Sequence, residues 1–193
     1  MKYTSFVAAA AFVMTAGMAA ADCADITVED AFDLDEAAVD ALYTCLGDKM
    51  AEGYAKEGDE IGSNFRNWTV SATQAAVAGP HGNRALLTFA NDIAAEQYLK
   101  FEAENVQMPV GSVLAKESIT ISIKKKKARP GPLFIMTKLE AGGAPETGDW
   151  LYSGLQPNGK VMKVKQSFCH DCHVGWEDSD MLAYPLEEVR VSQ

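Results

Sequence analysis

The sequence predicts an α+β domain: a mainly antiparallel β-sheet with one helix on its N-terminal side and further helices on its flanks. Three observations predict it. Short runs rich in β-branched and aromatic residues recur between residues 65 and 164, and tight-turn signatures such as Gly79-Pro80-His81-Gly82-Asn83 and Pro157-Asn158-Gly159-Lys160 separate them. The helical patterns are grouped rather than alternating with the strands, which argues against a parallel βαβ arrangement.

In chain order, residues 1–21 read as a secretory leader. Lys2 supplies the positive start, Phe6 to Met18 the apolar run, and Ala19-Ala20-Ala21 a small-residue site, with cleavage after Ala21. The run is too short for a membrane span, and no later stretch reaches the ~20 apolar residues that one needs. An exported chain is expected, and in a bacterium its compartment is the periplasm.

Residues 22–63 read as an acidic arm followed by a helix, and residues 64–193 as the main domain. Val39, Leu42, Tyr43, Leu46 and Met50 have helical spacing behind a capping Asp35, predicting a helix over 36–54. Residues 56–63 read as a connector. Strands are expected over 65–73, 85–89, 112–123, 133–138, 150–152 and 161–164, and a helix over 93–101 capped by Asn91-Asp92. Lys116-Glu117 is expected to interrupt the 112–123 strand, because two charges break its apolar alternation. The run Lys124 to Lys127 reads as a solvated loop rather than a docking patch.

The chemistry concentrates near the C-terminus, in Ser167-Phe168-Cys169-His170-Asp171-Cys172-His173. Two cysteines three positions apart with a histidine directly after the second form the pattern that attaches c-type haem. Each thiol would add to one vinyl group, Cys169 and Cys172 thereby holding one covalent haem c, and His173 would become the axial iron ligand. A thioredoxin-like redox pair, half of a zinc site and a plain disulfide are the alternatives, although no βαβ context surrounds Cys169 and so tight a cluster cannot easily wrap a tetrahedron. Of four cysteines, Cys23 and Cys45 remain, and an oxidising compartment suits a disulfide between them; two free thiols is the alternative.

The formal charge of −10 excludes a typical nucleic-acid binder. It favours a neutral small ligand or a basic redox partner protein.

Several stretches, taken in order, carry a likeness to a known family. They are Asn64-Phe65-Arg66-Asn67-Trp68, Leu87-Thr88-Phe89-Ala90-Asn91-Asp92, Gly111-Ser112-Val113-Leu114-Ala115-Lys116-Glu117, Gly148-Asp149-Trp150, Asn158-Gly159, the Cys169 to His173 motif, Asp180-Met181 and Tyr184-Pro185. With these the chain resembles cytochrome P-460, the group that also contains the cytochromes c′-beta. The resemblance implies a sheet-dominated fold, usually a homodimer, with one c-type haem near the C-terminus and a five-coordinate iron open to a small ligand.

In the catalytic members a lysine in the matching Val-x-x-Lys-Glu context is cross-linked to the haem edge, and Lys116 stands at that place. A plain strand lysine snorkelling to solvent beside Glu117 is the other reading. The hydroxylamine-oxidising members carry a carboxylate just before the first haem cysteine, where this chain has Phe168, which cannot accept a proton. Either Glu117 or Asp171 supplies that function or the pocket is apolar, as in the c′-beta branch that resembles a binder of nitric oxide and carbon monoxide. Phe65, Phe89, Phe134 and Phe168 are the candidates for an apolar lining.

The resulting expectation is an exported monohaem protein that binds or oxidises small nitrogen species, nitric oxide or hydroxylamine, at an open iron position. The competing class is an electron-transfer cytochrome whose second axial ligand is a methionine, from Met50, Met108, Met136, Met162 or Met181. His81 and His170 are the other histidines.

Overall fold

The computed structural model describes Val28 and residues 30–191. The expected leader and Cys23 lie outside the described residues. Cys45 takes part in a disulfide.

Helix α1 (Glu36–Ala55) starts where the Asp35 carboxylate accepts a hydrogen bond from the Ala38 amide at 2.8 Å. Its Val39, Leu42, Leu46 and Met50 are buried, as the spacing predicts, Tyr43 of the same series is partly buried, and Tyr54 is buried as well. The expected connector at 56–63 contains a second helix, α2 (Glu60–Asn64), capped by Asp59 accepting from the Gly62 amide at 2.8 Å. One turn holding a glycine has no periodicity to read, so only the cap could have announced it.

The strand expected over 65–73 shrinks to β1 (Thr69–Val70), because Phe65 sits in a 3-10 turn and buries its ring edge-on to Tyr54 and Phe89. Next come β2 (Ala76–Ala78), which the sequence reading did not mark, and β3 (Arg84–Ala90). Helix α3 (Asp92–Tyr98) follows, capped by Asn91, and stops short of the expected 101 because Phe101 turns left-handed, with φ of 52°. Strands β4 (Val113–Ser122), β5 (Lys127–Pro130), β6 (Leu133–Lys138) and β7 (Trp150–Leu155) complete the sheet, and α4 (Gln166–His173) carries the cysteine motif.

The seven strands form one sheet with β1-β3-β4-β6-β7 as its main path, β2 beside β1 on the edge of β3, and β5 beside β6 on the edge of β4. Every pairing is antiparallel. Gly131 lets the chain pass from β5 to β6: a Cβ there would meet the Ser118 hydroxyl and come 2.9 Å from the Ser118 carbonyl oxygen. The expected return strand at 161–164 is reduced to a bridge between Leu155 and Val161. Lys124 to Lys127 are exposed around the β4–β5 turn.

β4 runs unbroken through Lys116 and Glu117, contrary to the sequence expectation. Both charges are accommodated because alternate strand residues point to opposite faces, and each face offers a different environment. The odd-numbered Ala85, Phe89, Ala115, Ile119, Ile121, Leu133, Ile135 and Leu155 pack with α1 into one core. The even-numbered Ala90, Leu114, Met136, Trp150 and Tyr152 pack with Ala94 and Tyr98 of α3, Met108, Met181 and Leu182 into a second. Cys169 of α4 lies against this second core. Among the described residues no helix is long and apolar enough to cross a membrane.

Candidate functional site

α4 is fastened to the sheet at its first residue. The Gln166 amide oxygen accepts from the Tyr152 N–H at 2.8 Å, and its NH₂ donates to the Tyr152 carbonyl at 2.8 Å, so one side chain acts as a short extra rung on β7. Cys169, Cys172 and His173 then follow at i, i+3 and i+4 spacing, which places them along one side of the helix. Cys169 and Cys172 are both free thiols.

His173 is buried, with its ring 5.2 Å from Tyr152 and 6.1 Å from Trp176 between centroids. Its Nδ1 lies 2.7 Å from the Met181 carbonyl oxygen. A carbonyl can only accept, so Nδ1 carries the proton and Nε2 is left with a free lone pair. Burial holds the imidazole down to about 4, the Met181 hydrogen bond opposes it, and Lys116 and His170 lower it further. The ring is therefore neutral at physiological pH, the form a metal ligand needs.

Lys116 is on the same sheet face, paired in register with Thr88 and Phe134. Burial lowers its ammonium to about 8, and its charge is felt at both His173 and His81. His81, at the end of the Gly79–His81 turn, places its ring 4.9 Å from Phe134 and 6.4 Å from His173. Burial first, then Lys116 and His173, push His81 down to about 3. Arg84 lies 5.9 Å over the Phe134 ring.

Other sequence candidates fall elsewhere. Glu117 belongs to the opposite face, where its carboxylate accepts from the Arg66 guanidinium at 2.7 and 3.1 Å and is 1% exposed. Phe65 and Phe89 meet edge-on in the α1 core, and Met50 is buried there too. Phe168 is 77% exposed at the start of α4. Of the four aromatic candidates, Phe134 is the one that shares a face with His173 and Lys116. Sequence reasoning passed over Gln166, Tyr152 and the Met181 carbonyl, none of which has a local signature, since each acts through a partner distant in the chain.

The alternatives to haem fare poorly. A redox nucleophile needs a lowered thiol pKa, whereas burial and Cys172 push Cys169 above its ordinary value. Among the described residues no three His, Cys, Asp or Glu side chains form a group that could hold a metal ion. A porphyrin fits better. The Tyr152 hydroxyl is buried beside Cys169 and His173 without a hydrogen-bond partner, and burial keeps it protonated as a donor. Phe168, Val174 and Trp176, three of the nine large apolar side chains exposed among the described residues, come from α4 and the turn that follows it. Apolar surface gathered beside thiols and a neutral imidazole suits a flat, largely apolar macrocycle.

Two free thiols and a neutral imidazole on one helix, beside apolar side chains, are the groups that a haem-binding site needs. More closely, the Cytochrome P460 family model matches residues 62–183, well over half of the chain, and the chain belongs to that family. No curated protein matches it.

Proposed function

We propose that this chain is an exported c-type haem protein that binds or oxidises small nitrogen species, nitric oxide or hydroxylamine, at an open iron position. The observation that carries this reading is the 2.7 Å contact from His173 Nδ1 to the Met181 carbonyl oxygen, which leaves Nε2 as a neutral donor beside two unpaired thiols. When bound, the haem supplies an iron that coordinates the nitrogen species and exchanges electrons with a redox partner protein. Cys169 and Cys172 would hold one haem c through thioethers, and His173 would supply the nitrogen ligand to its iron.

Lys116, on the same face, is the candidate for a covalent bond to the haem edge. With an ammonium lowered to about 8, a useful fraction is the free amine near neutral pH. Phe134 would cover the ligand side with an apolar ring. Binding is favoured over turnover because Phe168 replaces a carboxylate before the first haem cysteine and Glu117 is turned to the other face. Residues 1–21 would direct the chain to the periplasm, where a Cys23–Cys45 disulfide forms, and the working protein would be a homodimer.

The test is a visible spectrum of the purified, exported protein with and without nitric oxide. A high-spin ferric spectrum that changes with the gas is the expected result. A low-spin spectrum with a methionine-to-iron charge-transfer band would make the protein an electron carrier, and a colourless protein would end the reading.

A further inference from the structure

The structure assigns Lys138 and Asp180 a role as positioning residues that set the electron donation of His173 to the iron. The inference rests on the reading of His173 as the proximal ligand. Asp180 and Met181 are consecutive non-glycine residues with positive φ, 54° and 64°. Bulky side chains resist that conformation, and it persists only where surrounding contacts hold it.

Here the contacts converge on Asp180. Its Oδ1 accepts from Lys138 Nζ at 2.6 Å and from the Trp150 indole N–H at 3.2 Å, and its Oδ2 accepts from the Met108 amide at 2.8 Å. The same indole donates to the Asp180 carbonyl at 2.9 Å, and the Met181 amide donates to the Trp176 carbonyl at 2.8 Å. Lys138 Nζ also donates to the Gly148 carbonyl at 2.9 Å and lies 5.1 Å over the Trp150 ring. Both side chains are nearly buried, at 14% and 12% exposure.

The product of this clamp is the direction of one carbonyl. With Asp180 held left-handed from three sides, the Met181 oxygen meets His173 Nδ1 at 2.7 Å. A strong acceptor at Nδ1 draws the imidazole toward imidazolate, strengthens the iron–nitrogen bond and stabilises ferric over ferrous iron. Lys138 stands at the end of β6 and acts on His173 through this chain of bonds.

The experiment uses the haem-loaded protein. In Lys138→Gln and Asp180→Asn, the iron–histidine stretch of the ferrous form should fall and the midpoint potential should rise, while Lys138→Arg should keep both parental values. Parental values in the Gln and Asn variants would overturn the inference. Should those two fail to fold, Asp180→Glu keeps the charge but displaces the carbonyl by one methylene. A shifted stretch in that variant supports the clamp, and an unshifted one overturns it. A parent protein with no iron–histidine band at all would instead sink the proximal assignment, so the two failures are distinguishable.

Discussion

Replacing Arg66 by methionine tests whether Glu117 is a structural charge or a site residue. The carboxylate is 1% exposed, and the 2.7 Å guanidinium contact is its only ion pair among the described residues. Breaking a buried pair from one side costs about 3–5 kcal/mol, because the remaining charge stays in a poor solvent. The Arg66 side chain is 31% exposed, so water recovers part of the loss and the low end applies, about 3 kcal/mol. In a domain of this size that corresponds to a melting point lower by about 6–12 °C.

The pH dependence has a definite sign. Burial already raises the Glu117 carboxyl above its ordinary value against the opposing effect of Arg66, and removing the guanidinium raises it further. A raised folded-state value means that the folded protein takes up the proton first, so stability rises as pH falls through that value. The Arg66→Met deficit should therefore be larger at about pH 8 than at about pH 5, and adding Glu117→Gln should recover most of it. Urea unfolding of the haem-loaded protein, followed by circular dichroism, measures this. A deficit below about 1 kcal/mol, an equal deficit at both pH values, or a moved Soret band would refute the structural assignment.

Three further outcomes are expected. Cys169→Ser with Cys172→Ser should let acidified organic solvent extract the haem that the parent retains, as read by the colour of the protein pellet. Lys116→Ala should remove any third covalent link, which tryptic mass analysis of the haem peptide detects; identical peptide masses apart from the substitution would take Lys116 out of the chemistry. Tyr54→Phe deletes the buried 2.8 Å hydrogen bond to the Gly131 carbonyl, and leaving that acceptor unpaired should cost about 1–3 kcal/mol in the same urea assay, with no spectral change.

What could be read from the sequence was what neighbours in the chain decide. The 36–54 periodicity, the Asp35 and Asn91 caps and the apolar runs of β3 and β6 all depend on nearby residues, and each appears where expected. The cysteine motif is local as well. Glu117 was misjudged because its partner, Arg66, lies 51 positions earlier, and a charge beside a charge looks like a break when the pairing is unseen. The four phenylalanines were equivalent in the sequence, and only the register that sets Lys116 opposite Phe134 separates them. The left-handed Asp180-Met181 pair had no signature, since a clamp built from β6, β7 and the Met108 amide selects it.

The parity of β4 divides its positions into two kinds of heritable freedom. An exchange at Leu114 or Lys116 alters the face that carries His173 while the helix-side packing stays as it was; an exchange at Ala115 or Ile119 does the reverse. A single inserted residue in this strand would swap the two roles at once, presenting a carboxylate to the face that carries His173 and an amine to the leucines of α1. Ligand preference in such a domain can drift by point substitution, but the length of this strand is fixed.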